Sequence, residues 1–78
     1  MKPIKYDRHA KKRMKDRAVS ERETDIAIEI PDLCEPSIKG RMNAFKFVNG
    51  RYLRVTFKEE MDHILVIIVT IRKKPFIR

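Results

Sequence analysis

His9, Arg13 and Arg17 stand four residues apart, the interval that lines side chains along one face of an α-helix with a drift of about 40° per step. The drift carries the row toward Ala10 and Met14, the two apolar residues of the same stretch, and leaves Lys11, Lys12 and Lys15 on the outer side. An imidazole can give or take a proton near neutral pH, and guanidinium groups can grip a phosphate or carboxylate through two parallel hydrogen bonds. Together they are equipment for cleaving RNA by attack of its own 2′-hydroxyl, which needs a base, an acid and cations around the developing phosphorane but no metal. In that scheme His9 transfers the proton while Arg13 and Arg54 hold the phosphate. The plainer reading is that Arg13 and Arg17 pair with acids such as Glu23 or Glu29 and His9 simply packs.

A second group of cations falls where the hydrophobic pattern alternates. Lys46, Tyr52, Arg54 and Lys58, joined by Thr70 or Arg72 from a later segment, are expected on the polar face of a sheet. Basic residues interleaved with an aromatic suit single-stranded RNA, whose phosphates meet the cations while a base stacks on Tyr52. The competing reading is a solvated strand face whose charges discourage edge pairing. His63 is expected to be solvated in the turn "EEMDH". Ser20 is used as a helix cap, Cys34 has no histidine near it in sequence, and the only glycines are Gly40 and Gly50. Serine or cysteine nucleophiles and a glycine-rich phosphate loop are therefore disfavoured. No cofactor and no metal are expected.

These residues must be positioned by two helices and a run of strands. Asp7 can cap a first helix over about 8–17, and Ser20 with Glu23 forms an S-x-x-E capping box for a second over about 21–30, ended by Pro31. Ile26, Ala27 and Ile30 form its inward face. Beyond Leu33 the period becomes that of strands, at about 34–39, 42–48, 51–58 and 63–72. At "VNG" a two-residue Asn-Gly turn would split the apolar set. A three-residue loop, Val48 to Gly50, instead places Phe45, Phe47, Leu53, Val55 and Phe57 on one face and Lys46, Tyr52, Arg54, Thr56 and Lys58 on the other. That register is the one expected. Ile64 to Val69 is apolar on both faces, which suits a strand inside the sheet or under a partner. The fold class is α+β, with two N-terminal helices across one face of a small, curved, mostly antiparallel sheet of three to four strands.

The totals bound the function. Residues 1–78 form one domain, and a chain of this size buries only about 60% of the surface it exposes when unfolded. Nineteen Lys plus Arg against 11 Asp plus Glu give a net charge of +8, which favours polyanions, nucleic acid first and an acidic protein partner second. No apolar run approaches the roughly 20 residues of a membrane span, and no signal peptide is visible. A single cysteine fits a reducing cytoplasm. The tail "RKKPFIR" reads as an electrostatic arm or partner contact.

The stretch "RHAKKRMKDRAVSERETDIAIEIP", with "KGRMNAFKFVNGRYLRVTFKEE" and "ILVIIVTI" behind it, resembles a small prokaryotic family catalogued as domain of unknown function 4258. The likeness runs from about Tyr6 to Lys73. That family in turn resembles the RelE-like and BrnT-like toxins of toxin-antitoxin modules. What this implies is a RelE-like fold and a metal-independent endoribonuclease acting on RNA, free or ribosome-bound. A small acidic antitoxin would be its partner, and homodimerisation would run through the sheet. It also implies roles for His9, Arg13 and Arg17, for Arg41 after the glycine, for Arg54 and for Thr70. Ala18 departs from the pattern, since the family usually has glycine after the first helix. The alternative carried with this reading is a non-catalytic basic module that binds RNA or an acidic protein.

Overall fold

The structure is a computed structural model that describes residues 2–73; the end of the expected basic arm, residues 74–78, lies outside them. The chain runs β1 (Ile4–Tyr6), α1 (Arg8–Asp16), α2 (Glu21–Glu29), β2 (Leu33–Pro36), a 3-10 turn (Ile38–Gly40), β3 (Met42–Val48), β4 (Arg51–Glu59) and β5 (Ile64–Arg72). The strands form one five-stranded sheet in the order β1-β5-β4-β3-β2. Every pairing is antiparallel except that of β1 with β5. The fold is therefore α+β, with one strand more than the three to four expected. The added strand is β1, three residues long, whose parallel pairing with Ile64–Val66 is a long-range event that no local pattern announces. β2 stops at Pro36, because the chain turns through left-handed Lys39 and Gly40 before β3.

Both helices begin as their caps dictate. The Asp7 side chain accepts the His9 N–H, and Ser20 and Glu23 exchange both bonds of the capping box. α1 ends in a Schellman motif: Val19 N–H reaches the Met14 carbonyl at 2.8 Å and Ala18 N–H the Lys15 carbonyl at 3.2 Å. Met14 and Val19, the two residues such a motif brings together, are both buried in the main core cluster. The motif requires a left-handed residue, and Ala18 occupies it with φ 53°.

The helices cover one face of the sheet. Ala10, Met14, Val19 and Ala27 pack on Leu53, Val55, Val66 and Val69, and Ala44, Phe57 and Ile64 extend the core. On α2 the inward side is Thr24, Ala27 and Ile28. Ile30, expected inside, is 64% exposed because the helix stops at Glu29 and the chain leaves toward Pro31.

The hairpin register differs from the expected one. Val48 pairs with Arg51 and Phe47 with Tyr52, so the connection is the two-residue turn, with Asn49 at φ 51° and Gly50 at φ 78° as its two left-handed positions. Phe45 and Phe47 thus share the helix-free face with Tyr52 and Arg54, while Lys46 faces the other way beside Leu53. The expectation rested on keeping all large apolar residues together. The core instead takes Met42, Ala44 and Val48 from β3, and small Ala44 leaves room for α2. On β5 a bulge lets Thr56 pair with Ile68 and Phe57 with Val66. Ile67 is the extra residue, and both Val69 and Val66 reach the core.

One ionic cluster ties these pieces together. Glu23 is 7% exposed. Its carboxylate accepts from Ser20 N at 2.9 Å, Asn49 Nδ2 at 2.9 Å and Arg51 Nη2 at 3.0 Å. Arg51 also donates to the carbonyls of Arg17 at 2.8 Å and Ala18 at 2.9 Å. The Ser20 backbone bond, aided by Asn49 and Arg51, outweighs burial and holds the Glu23 carboxyl at about 2, below the ordinary 4.5.

Two outcomes follow from this packing. Ala18→Gly should raise the stability measured by urea denaturation by about 1 kcal/mol, since glycine enters the left-handed region without steric cost. Glu23 is depressed in the folded state, so its stabilisation is complete above the unfolded value of 4.5 and is lost as pH falls toward 2. The loss should be roughly 3 kcal/mol. Comparing urea midpoints of the parent and Glu23→Gln at several pH values should show a gap that is wide near neutrality and closes toward pH 2.

Candidate nucleic-acid interface

α1 buries only Ala10 and Met14. The rest of its surface is cationic but for Asp16, and His9, Lys12, Arg13, Asp16 and Arg17 line a depression of about 610 Å³ on it. The row His9, Arg13, Arg17 is therefore assembled as the four-residue spacing requires. Among the described residues no ion pair engages any of the three. Glu23, a candidate partner for these arginines, is taken by Arg51. Arg51 carries no local signal for this role, because its partner lies 28 residues away across the hairpin.

The second surface is the face of the sheet that carries no helix. Tyr52, Arg54, Thr56 and Lys58 point to it from β4, as the alternation predicts, and Thr70 and Arg72 join them from β5, opposite Arg54 and Tyr52. Phe45 and Phe47 add aromatic area. The Phe47 and Tyr52 rings lie 4.7 Å apart, tilted by 47°, and Phe47 is 49% exposed. The Arg72 guanidinium sits 5.7 Å above the Phe45 ring, a cation–π distance, and Phe45 is buried on the nominally open face. Arg54 Nε is buried without a hydrogen-bond partner, while the Arg54 carbonyl accepts from Thr70 Oγ1 at 3.5 Å.

The remaining expected site residues divide between rim and groove. Lys46 lies on the helix side, and its Nζ is 3.1 Å from Asp32 Oδ1. The Phe47 N–H and then Lys46 lower the Asp32 carboxyl below its usual range. Lys46 thus leaves the group to which its place in the alternation had assigned it. Arg41 and Lys58 line a groove at the far end of the open face, in company with Lys39 and His63. His63 is half-buried there rather than solvated, and its Nδ1 is 2.7 Å from Asp62 Oδ1. That bond is the leading reason the Asp62 carboxyl is lowered.

No known protein family, curated protein or solved structure matches this chain. What the site can do follows from its geometry.

That geometry parts the residues expected to act together. His9 and Arg13 ride on a helix packed against one face of the sheet, and Arg54 projects from the other. A phosphate held by Arg54 is separated from the His9 imidazole by the sheet and its core. Among the described residues no three His, Cys, Asp or Glu side chains are grouped to hold a metal ion. Lys12, Lys39 and Phe47 are functional candidates beyond those expected from the sequence, and His63, expected to be merely solvated, joins them. Phe47 was obscured by the hairpin register, and Lys39 and His63 by the tertiary fold alone.

Residues on opposite faces without shared partners should act independently. In a double-mutant cycle of His9→Ala and Arg54→Ala read by RNA affinity, the two effects should add within about 0.5 kcal/mol. A larger coupling would mean that one phosphate is touched by both.

Proposed function

We propose that the protein binds single-stranded RNA through the helix-free face of its sheet. The observation that carries this reading is the Phe47–Tyr52 pair, 4.7 Å apart on an open face that also presents Arg54, Thr70 and Arg72. Single-stranded bases stack on such rings whatever their identity, and nearby cations meet the phosphates. The net charge of +8 supplies attraction at a distance.

A second reading, a toxin-like metal-independent endoribonuclease, is favoured by the depression on α1. There His9 stands beside Lys12, Arg13 and Arg17, none of them spent on an ion pair among the described residues. An imidazole beside unpaired guanidinium groups has the parts for 2′-hydroxyl attack. In this reading Arg54 serves binding on the other face and no longer joins the reacting centre. A small acidic antitoxin in a cytoplasmic host would cover the same cations.

Fluorescence anisotropy with a short labelled RNA separates the surfaces. Tyr52→Ala should weaken binding about tenfold and Phe47→Ala by a similar factor, the size of one lost stacking contact, and affinity should fall steeply as salt is raised. Unchanged affinity in both variants, with a loss in Arg13→Ala, would move binding to α1. Expression of the parent beside His9→Ala, followed by sequencing of RNA 5′ ends, tests cleavage. New ends that vanish in the variant would support the ribonuclease reading, and unchanged RNA in both would leave binding alone.

A further inference from the structure

The groove at the far end of the open face has a composition unlike either the α1 ridge or the aromatic end. Lys39 and Arg41 enter it from the turn before β3, Lys58 from the end of β4 and His63 from the start of β5. The turn is held by Ser37 N–H to the Arg41 carbonyl at 2.8 Å and Arg41 N–H to the Ile38 carbonyl at 3.1 Å, with Lys39 left-handed at φ 57°. Leu65, which pairs with Lys58 across the sheet, and Ile67 give the groove an aliphatic floor. Ile67 is available because the bulge removes it from the ladder with β4. Two carboxylates, Asp7 and Glu60, complete the walls.

The electrostatic balance favours an anion, but only locally. Asp7 is occupied in capping α1 through His9 N at 3.1 Å. Glu60 Oε1 lies 3.6 Å from Lys58 Nζ, a long and partly exposed pair that contributes little. Lys39 and Arg41 enter no ion pair among the described residues. His63 Nδ1 is engaged by Asp62, which leaves Nε2 for a ligand. The groove measures about 400 Å³, inside the range of about 300–1,000 Å³ usual for small-molecule sites. Phosphate alone would use the cations and ignore the aliphatic floor.

We infer that this groove is a nucleotide subsite. It takes a phosphate between Arg41, Lys39 and Lys58, rests the base on Leu65 and Ile67, and offers Glu60 as acceptor to a sugar hydroxyl or base amino group. The inference rests on the RNA-binding reading in one respect: the nucleotide is taken as one unit of a strand whose other bases stack at Phe47 and Tyr52.

NMR titration of the intact protein with inorganic phosphate, adenosine and adenosine monophosphate tests it. The monophosphate should shift the signals of Leu65, Ile67 and His63, and should saturate at a concentration about tenfold or more below that of either fragment, because only it uses cations and floor together. Arg41→Gln and Lys58→Gln should abolish that advantage while keeping the parent's spectral dispersion and melting temperature. Equal responses to phosphate and monophosphate would overturn the subsite, since attraction to net charge would then suffice. So would shifts confined to α1 or to the aromatic end. The two readings fail separately. Monophosphate binding in the groove with RNA affinity indifferent to Tyr52→Ala would keep the subsite and remove the RNA face. RNA affinity that depends on Tyr52, with no signal from the groove, would do the reverse.

Discussion

A single buried carboxylate organises the fold. Glu23 draws together the N-terminus of α2, the end of α1 through Arg51, and the Asn49 turn between β3 and β4. Each of these elements is too short to hold its place unaided. α1 and α2 have nine residues each, below the length at which isolated helices persist in water. A buried charge is costly unless paired and hydrogen-bonded, and here both carboxylate oxygens are used. The cluster therefore penalises any arrangement in which the helix pair and the hairpin are not docked. This makes a core built largely from Ala, Val and one Leu more specific than its apolar area would suggest.

The same cluster fixes which residues are on show. Asn49 is one of the two left-handed positions of the hairpin turn and at the same time a donor to Glu23, so the turn is restrained from outside as well as by its own backbone preference. A one-residue change of register would exchange the faces of a strand. Phe47, Tyr52 and Arg54 share the open face because Val48 pairs with Arg51, and Arg51 is held by Glu23. The face proposed for RNA thus depends on an ion pair on the opposite side of the sheet.

Legibility followed the range of the interactions. The Asp7 cap, the Ser20–Glu23 box and the α1 row could be read because each rests on intervals of four residues or fewer, and the structure contains all three. The hairpin turn was visible as Asn-Gly, yet its register was misjudged by an argument about hydrophobic grouping. Phe45 could leave the core because Arg72, across the sheet, covers its ring. β1 and the Glu23–Arg51 pair depend on residues from 28 to about 60 positions apart, and the Ile67 bulge depends on how β5 meets β4 across their turn; nothing local encodes them. Among the site residues, strand alternation was right for Tyr52, Arg54 and Lys58, and it failed for Lys46 because the two-residue turn puts Lys46 opposite Leu53, on the helix side, where it meets Asp32.

The distribution of the remaining charge bears on how a polyanion would approach. Glu21, Asp25 and Glu29 repeat every four residues along α2 and line a groove with Lys2 and Tyr6. Burial, helped by the Asp25 carboxylate, pushes the Tyr6 hydroxyl well above its usual range, so Tyr6 stays protonated and donates to that carboxylate. The hydrogen bond fastens β1 to α2 while leaving a negative stripe in place. The protein therefore presents cations on α1 and on the open face of the sheet, with an acidic band along α2. Phosphates are repelled from that band within about a Debye length, near 8 Å at physiological salt. The attraction exerted by the net charge of +8 is consequently uneven over the surface. It favours encounter on two cationic surfaces, and among the described residues the Phe47–Tyr52 pair belongs to the open face of the sheet and not to α1.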